Sequence, residues 1–169
     1  MKILNHREIG QKTKRLAIEI IEHNYEEKQI ILAGINNNGM TFAKMLLHEL
    51  EKVTDIKLVL TPIKLNPANP LGQEVEFGMP ISKIKGKVVI IVDDVANTGR
   101  TIFYACKPLL ETLPKKIEVA VLVDRAHKSF PVKVDYVGLS LATTLKENID
   151  VQIKDPADYA VFLDWLNKQ

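Results

Sequence analysis

The sequence predicts an α/β fold in which a mainly parallel sheet is flanked by helices, and two patterns indicate it. Short apolar runs that suit buried strands alternate with segments whose apolar residues recur at helical spacing. Alternation of this kind is typical of parallel sheets that carry helices on both faces. The 169 residues contain no internal repeat and no low-complexity linker, so we expect a single domain over residues 1–169.

Composition excludes several functional classes. Cys106 is the only cysteine, which excludes a disulfide framework and a cysteine-based zinc site. The formal net charge of +2 is too small to indicate nucleic acid by itself. No stretch approaches the roughly 18 apolar residues of a membrane helix, and Met1–Arg7 lacks the apolar run of a signal peptide. These features predict a cytoplasmic protein without a membrane partner.

The chain before Pro62 predicts two helices and two strands. Apolar residues repeat at helical spacing in Glu8–Asn24 and again in Met40–Leu50. Gln29–Gly34 is a short apolar run that predicts a buried strand. Ile56–Leu60 alternates with polar residues, as in a strand that ends by Pro62.

A long segment rich in proline and glycine follows, and it shows no sustained periodicity. We expect a flexible loop over about residues 62–86, with a hairpin at Glu74–Met79 in its middle. Loops of this length inside a compact domain are usually functional or disordered.

The second half of the chain predicts the remaining elements. Lys87–Val92 is a buried strand, and a helix follows over Ile102–Leu110. Three further strands are expected at Ile117–Val123, Val132–Leu139 and Val151–Ile153. A last helix is expected over Pro156–Trp165 with Asp155 as its cap, so that the tail at about residues 155–169 is helical.

In parallel α/β sheets, ligands bind beyond the carboxyl ends of the strands. Three segments lie at such positions: Gly34–Gly39, Asp93–Thr101 and Asp124–Phe130. The residues that carry function are expected there.

The segment Val88–Thr101, VVIIVDDVANTGRT, joins an apolar strand to two carboxylates and a short loop. Successive backbone N–H groups ahead of a helix form a concavity that suits a phosphate. Thr98 and Thr101 add hydroxyl donors, and Gly99 lets the backbone approach closely. The residues expected around the phosphate are Ala96, Asn97, Thr98, Gly99, Arg100 and Thr101.

Asp93 and Asp94 would repel a phosphate, so they are expected to face a different group. Neighbouring ribose hydroxyls or a hydrated Mg²⁺ suit two adjacent carboxylates. A capped strand-to-helix turn would explain one acid and Gly99. It would not explain two acids at the end of a buried strand together with two threonines.

Val88–Thr101 resembles the phosphoribosyl pyrophosphate (PRPP) motif of type I phosphoribosyltransferases, in which a hydrophobic run, two acids and a T-G-[KR]-T loop occur in this order. The resemblance implies the type I fold, a mainly parallel sheet flanked by helices, with a long flexible loop and a small hood. It implies that Asp93 and Asp94 hold the ribose 2′ and 3′ hydroxyls and, through water, Mg²⁺, while Ala96–Thr101 hold the 5′-phosphate. Asn97 stands where some purine-specific relatives have an acid. Because an amide cannot act as a base, Asn97 favours a pyrimidine or no such role.

Gly34–Thr41, GINNNGMT, has the glycine spacing of a P-loop, but Met40 stands where that loop needs lysine. A nucleoside triphosphatase is therefore excluded. Two interpretations remain open: a glycine-rich turn between strand and helix, or the pyrophosphate-binding loop that the family resemblance implies. In the second, the donors are Asn36, Asn37, Asn38 and Gly39, which bring no positive charge.

A second stretch narrows the resemblance. Asp124–Pro131, DRAHKSFP, and its flanking strands resemble the bifunctional pyrimidine-operon attenuator and uracil phosphoribosyltransferase family, over about residues 9–154. This implies transfer of phosphoribosyl from PRPP to uracil, giving UMP and pyrophosphate, and we also expect a homo-oligomer. Asp124 and Arg125 are then the residues near the nucleobase. An ion pair between them at the end of a strand remains the alternative.

The chain departs from that family in its flexible loop and first helix. Thr61–Ala68, TPIKLNPA, lacks the Arg-Asp pair of the family's loop, so Lys64 is the only cation expected there. RNA binding in the family uses basic residues of the first helix, which here are interleaved with glutamates: Lys12, Lys14, Arg15 and His23. Two alternatives therefore accompany uracil transfer: a regulator that binds PRPP or a nucleotide and RNA with little turnover, and a transferase for a purine base.

Overall fold

The computed structural model describes residues 1–142, 144 and 146–165, which form two sheets and three α-helices. The elements in chain order are β1 (Lys2–Leu4), α1 (His6–Asn24), β2 (Gln29–Ile35), α2 (Asn36–Glu51), β3 (Lys57–Lys64), β4 (Glu76–Phe77), β5 (Val88–Ala96), α3 (Arg100–Ala105), β6 (Lys116–Arg125), β7 (Tyr136–Leu141), β8 (Glu147–Gln152) and β9 (Ala160–Trp165). Short 3₁₀ helices occupy Ile81–Ile84 and Lys107–Glu111. No helix in the described part of the chain is long and apolar enough to cross a membrane.

The main sheet has the strand order β4-β3-β2-β5-β6-β7, and every neighbouring pair is parallel except β3 with β4. Helices α1 and α2 cover one face, and α3 with the 3₁₀ helix after it covers the other. This architecture confirms the predicted α/β fold with a mainly parallel sheet flanked by helices.

Successive residues of the central strands point to opposite faces of the sheet, so their apolar side chains lie in two cores. Ile30 and Ile90 pack with α1 and α2, whereas Ile31 and Val89 pack against α3. All four side chains are fully buried. Because both faces of these strands are covered, their sequences are continuous apolar runs, which is why the sequence predicted them as buried strands.

Strand β3 runs further than the sequence predicts. Its parallel pairing with β2 continues through Pro62 to Ile63, and the Pro62 carbonyl accepts a hydrogen bond from the Gly78 N–H at 2.9 Å. The expected end of the strand at Pro62 was therefore wrong. Strand β4 pairs antiparallel with the end of β3, so the hairpin expected at Glu74–Met79 is a strand that returns onto β3.

Strand β5 is also longer than expected, because its pairing with β6 extends to Ala96. Asp93 and Asp94 therefore lie within the strand and not after it. The register with β6 pairs Asp93 with Val121 and Val95 with Val123, on either side of Asp94. The two carboxylates are thus held by one of the two central strands of the sheet.

The helix predicted over Pro156–Trp165 was wrong. Ala160–Trp165 form strand β9, at the centre of a three-stranded antiparallel sheet of order β1-β9-β8. The sequence AVFLDW is rich in residues that favour strands, and Val161 is fully buried. Asp155 accepts a hydrogen bond from the Ala157 N–H at 2.9 Å within a turn. This small sheet corresponds to the expected hood, and residues 166–169 of the predicted helical tail lie outside the described residues.

Candidate functional site

Three neighbouring strands bring the three expected segments to one edge of the main sheet. Strand β5 lies between β2 and β6, with Gly34 beside Val92 and Asp124 beside Ala96. The carboxyl ends of parallel strands lie at the same edge of a sheet. Residues that are far apart in sequence therefore face a common space at this edge.

Asp93 and Asp94 form an acidic pair at the centre of this edge. Asp93 is only 8% exposed, and its Oδ1 accepts a hydrogen bond from the Asp94 N–H at 2.9 Å. Asp94 Oδ2 accepts a second hydrogen bond, from Asn38 Nδ2 at 2.9 Å. Burial raises the pKa of Asp93 well above its ordinary value, and the adjacent Asp94 charge raises it further. The pair therefore favours a neighbouring cation or hydroxyl donors.

The acidic pair fits a magnesium ion bound in part by other groups. In the described part of the chain, no three histidine, cysteine, aspartate or glutamate side chains converge on a metal position. Mg²⁺ commonly takes one or two protein carboxylates and completes its shell with water and substrate oxygens. A cation beside Asp93 and Asp94 would relieve the repulsion between the two charges.

The loop after β5 encloses a small cavity of about 40 Å³. Gly99 has a φ of 84°, a left-handed conformation that glycine adopts without strain. The Arg100 N–H lies 3.4 Å from Thr98 Oγ1. The cavity is lined by Val95, Ala96, Asn97, Thr98, Gly99, Arg100, Thr101 and Ile102. Backbone donors and threonine hydroxyls in so small a space suit a single tetrahedral anion.

The end of β6 and the segment after it brace this loop, which is the candidate phosphate loop. The Thr98 carbonyl accepts a hydrogen bond from the Ser129 N–H at 2.9 Å. Arg125 Nη1 donates to Asn97 Oδ1 at 3.3 Å, and Arg125 Nη2 donates to the Thr144 carbonyl at 2.7 Å. The loop is thus held in shape without a ligand, which reduces the entropy that binding must remove.

Asn36–Gly39 form the first turn of helix α2 and not an open loop. Asn36 has a φ of 50° and uses its whole amide on Leu65, whose carbonyl lies 3.0 Å from Nδ2 and whose N–H lies 3.1 Å from Oδ1. A Cβ at Gly39 would lie 2.6 Å from the Val92 carbonyl oxygen, so close packing requires glycine there. The strand-to-helix turn, one of the two open interpretations, explains these residues.

The start of α2 nevertheless offers groups for an anion. Ile35, at the N-cap position, provides no side-chain hydrogen bond to the helix, and the first turn contains no acidic residue. The first N–H groups of a helix have no partner within it, and the helix dipole makes this end positive. Asn37 lines the neighbouring cavity beneath the flexible loop.

At the end of β6, where the candidates for the nucleobase side lie, Asp124 pairs with a residue that was not singled out in the sequence. Lys128 Nζ lies 2.6 Å from Asp124 Oδ1, and the two side chains are each 18% exposed. Lys128 also donates to the Arg125 carbonyl. Asp124 therefore forms an ion pair at the end of β6, but its partner is Lys128, whereas the alternative interpretation named Arg125.

Lys64, which was expected in the flexible loop, lies instead at the end of strand β3 and lines a cavity of about 510 Å³ beneath that loop. It is the one cation among the described residues that line this cavity, which Glu74 and Glu76 also line. Glu76 is the neighbour of Lys64 across β3 and β4. Two carboxylates therefore offset the positive charge that Lys64 brings to this part of the site.

Two basic residues of α1, Lys12 and Arg15, serve the packing of that helix. Lys12 Nζ donates to the Gly138 carbonyl at 3.1 Å, and Arg15 Nη2 donates to the Val137 and Gly138 carbonyls at 2.7 and 3.0 Å. Arg15 also pairs with Glu19 at 3.2 Å. These contacts hold α1 on the edge strand β7.

Among the contacts of the site that sequence reasoning missed are Asn38 with Asp94, Lys128 with Asp124, and Arg100 with the flexible loop. The first joins residues 56 positions apart and the third joins residues 32 and 33 positions apart. Only the Lys128 contact is local, with opposite charges four positions apart. The other two depend on the tertiary fold and leave no sequence signal.

The sheet, the hood and the acidic strand end with its phosphate loop define a type I phosphoribosyltransferase. The model of the phosphoribosyl transferase domain family matches residues 1–156, and the chain belongs to this family. It is 32% identical over 163 residues to the bifunctional protein PyrR of Streptomyces coelicolor, covering 90% of this chain and 83% of the relative. It is 34% identical to that of Fusobacterium nucleatum, covering 92% of both chains. The resemblance seen in the sequence is confirmed, and the protein is a pentosyltransferase.

Solved structures show the same fold. A hypoxanthine-guanine phosphoribosyltransferase from Bacillus anthracis superposes with a TM-score of 0.74 at 20% identity, covering 94% of this chain and 95% of that one. The hypoxanthine phosphoribosyltransferase of Trypanosoma cruzi gives a TM-score of 0.77 at 18% identity, covering 95% of each chain. At these identities the likeness concerns the fold alone.

Proposed function

We propose that the protein transfers the phosphoribosyl group of PRPP to uracil, giving UMP and pyrophosphate, with Mg²⁺ as cofactor. One observation carries this proposal: on β5, an acidic pair with one buried member directly precedes a loop that encloses a cavity for a single anion. A ribose 5-phosphate has vicinal hydroxyls on its ring and a phosphate on the carbon outside the ring. The acidic pair of β5 matches the hydroxyls, and the loop after β5 matches the phosphate.

The residues around the ribose have distinct tasks in this proposal. Backbone N–H groups of Ala96–Thr101 and the hydroxyls of Thr98 and Thr101 hold the 5′-phosphate. Asp93 and Asp94 accept hydrogen bonds from the ribose hydroxyls and hold Mg²⁺ through water. The bound metal would supply positive charge for the pyrophosphate group. Asn38, through its hydrogen bond at 2.9 Å, keeps the Asp94 carboxylate oriented.

Cleavage of the bond between ribose C1 and pyrophosphate leaves positive charge on the sugar and negative charge on the leaving group. The uncapped N–H groups at Asn36–Gly39 are our candidates for holding pyrophosphate, and Lys64 is the candidate cation of the flexible loop. A uracil nitrogen forms the new bond to C1, and its proton passes to water. Catalysis then rests on positioning and on charge stabilisation, without a covalent nucleophile.

We propose uracil and not a purine because Asn97 lies in the phosphate loop. Asn97 has an amide where some purine-specific relatives have an acid, and Arg125 holds that amide at 3.3 Å. Asp124, Arg125 and Lys128 are the candidates for the nucleobase side. The relatives with 32–34% identity are PyrR proteins, which also favours the pyrimidine.

A regulator that binds PRPP or a nucleotide together with RNA is the second candidate. The lack of a cation at Asn36–Asn38 favours it, because pyrophosphate departure would have less support. Lys12 and Arg15 hold α1 on β7, which leaves fewer free charges for RNA and places this function second. A cytoplasmic homo-oligomer is part of both proposals.

The test is an assay of purified protein with PRPP and Mg²⁺ and, in separate reactions, uracil, hypoxanthine and guanine. Formation of UMP alone supports uracil transfer. Formation of IMP or GMP would replace uracil with a purine. PRPP binding in calorimetry without any product would favour the regulator.

A further inference from the structure

The start of the flexible loop, Leu65–Ala68, is tied to both segments that are proposed to bind phosphate groups. At the first tie, the Asn36 amide forms two hydrogen bonds with the Leu65 backbone, at 3.0 and 3.1 Å. At the second, Arg100 Nη2 donates to the Pro67 carbonyl at 3.1 Å and to the Ala68 carbonyl at 3.0 Å. The loop is therefore attached to the ends of β2 and β5 together.

The backbone and the guanidinium of Arg100 make different contacts. Its backbone belongs to the phosphate loop, where the N–H lies 3.4 Å from Thr98 Oγ1 and the residue lines the small cavity. Its guanidinium instead holds the carbonyls of Pro67 and Ala68. A charged donor that is engaged with loop carbonyls is a structural link between the loop and the phosphate site.

We propose that Arg100 is a positioning residue, which fixes the flexible loop on the phosphate loop so that an occupied phosphate site stabilises the loop over the reaction centre. The loop-fixing part stands on the contacts alone, whereas the coupling to ligand rests on the proposed function. Both hydrogen bonds come from one nitrogen, Nη2, whose N–H groups are fixed in the plane of the guanidinium, whereas the lysine ammonium group rotates on a flexible chain.

Limited proteolysis of the ligand-free protein tests the loop-fixing part. Leu71, between the Arg100 contacts and β4, is 70% exposed and is a site for chymotrypsin. Loss of two exposed hydrogen bonds should let the loop open more often, so that Arg100→Gln is cleaved at Leu71 roughly three- to tenfold faster. The matched control is Arg7→Gln, which removes an exposed arginine of α1 and should be cleaved like the parent protein.

Cleavage sites are identified by mass spectrometry, and melting temperatures are measured in parallel. Faster cleavage at Leu71 with an unchanged melting temperature supports the link. Equal rates for Arg100→Gln and Arg7→Gln overturn it. Arg100→Lys is a second test if the glutamine variant is poorly folded: an intermediate cleavage rate supports the need for a guanidinium, and a rate equal to the parent's contradicts it.

Ribose 5-phosphate tests the coupling to ligand. It should slow cleavage at Leu71 several-fold in the parent protein and have little effect on Arg100→Gln. Equal slowing in both proteins would overturn the coupling. If calorimetry detects no ribose 5-phosphate binding to the parent, the proposed function fails, and the result on the ligand-free protein still decides the loop-fixing part. In turnover assays, Arg100→Gln should lower kcat about tenfold and change KM for PRPP far less.

Discussion

At the scale of single residues, Asp93 lowers the stability of the folded protein at neutral pH while it provides a carboxylate for ligand. Its carboxyl is buried beside Asp94, and both burial and that neighbouring charge raise its pKa. The folded state therefore holds the Asp93 proton more tightly than the unfolded state does. Stability contributed by this group is greatest below the ordinary carboxyl pKa of about 3.9, and it falls as the pH rises through the higher folded-state pKa.

Asp93→Asn should consequently raise the melting temperature near pH 8 while weakening PRPP–Mg²⁺ binding. The amide keeps an oxygen for the hydrogen bond from the Asp94 N–H, which is 2.9 Å long in the parent. The gain over the parent should shrink as the pH falls toward about 4, where the parent's Asp93 is protonated. Asp55→Asn, at an exposed position, is the control. Thermal melts across this pH range check the stability, and calorimetry checks the binding. A lower melting temperature of Asp93→Asn near pH 8 would contradict the argument.

Substitution of Gly99 tests whether the loop after β5 binds phosphate. A side chain at its φ of 84° adds strain, and a Cβ there would lie 3.1 Å from Val132 Cβ. Gly99→Val should therefore distort the loop, and UMP should bind at least tenfold more weakly in calorimetry. Gly86→Val, at a positive φ of 68° with nothing within 4 Å of the added Cβ, controls for backbone strain alone. UMP binding that survives in Gly99→Val would refute a phosphate site in this loop.

How much the sequence predicts depends on how far apart the interacting residues lie. The β5 segment could be predicted because an apolar run, two acids and the phosphate loop are continuous in the chain. The Asn36–Leu65 and Arg100–Ala68 contacts could not, since they join residues 29 and 32 positions apart. Strand β9 was mistaken for a helix because Asp155 and Pro156 were interpreted as a helix start, although Ala160–Trp165 is itself rich in residues that favour strands. Its pairing with β1 and β8 could not be predicted from the local sequence.

At the scale of elements, a buried polar network joins α1, β6 and β7 at the edge of the sheet opposite the site. Tyr136 OH donates to Glu118 Oε2 at 2.8 Å, and Asn24 Nδ2 donates to Glu118 Oε1 at 2.9 Å. The Glu118 side chain is only 12% exposed. Burial, and then the hydrogen bond to Glu118, raises the pKa of the Tyr136 hydroxyl. The hydroxyl thus remains a donor to the carboxylate throughout the working pH range.

Tyr136→Phe should lower the free energy of unfolding by about 1–3 kcal/mol, because the buried Glu118 carboxylate loses a donor. Urea denaturation measures this change. Tyr25→Phe, at a tyrosine that is 70% exposed, is the control and should be nearly neutral. Turnover should be unaffected by Tyr136→Phe in the folded protein. If Tyr136→Phe leaves the free energy of unfolding unchanged, water replaces the lost donor and the predicted contribution of this hydrogen bond is wrong.

At the scale of the whole molecule, the proposed reaction would have firm support for ribose 5-phosphate and modest support for the leaving group. The phosphate loop is braced by the segment after β6, and the acidic pair is held by central strand β5. On the pyrophosphate side, Asn36 is occupied by Leu65, and Lys64 shares its cavity with Glu74 and Glu76. This imbalance predicts tight binding of PRPP together with slow turnover.

Turnover should accordingly be slow beside that of the Fusobacterium nucleatum PyrR protein assayed under the same conditions, and it should depend on Lys64. Removing one preorganised donor to a developing negative charge typically lowers the rate by about 100- to 1,000-fold. Lys64→Ala is therefore expected to lose activity on this order while its PRPP affinity, measured by calorimetry, changes much less. Lys57→Ala, an exposed lysine at the other end of β3, should retain the parent rate. Fast UMP synthesis that persists in Lys64→Ala would mean that helix α2 and Mg²⁺ stabilise the leaving group without a cation from the flexible loop.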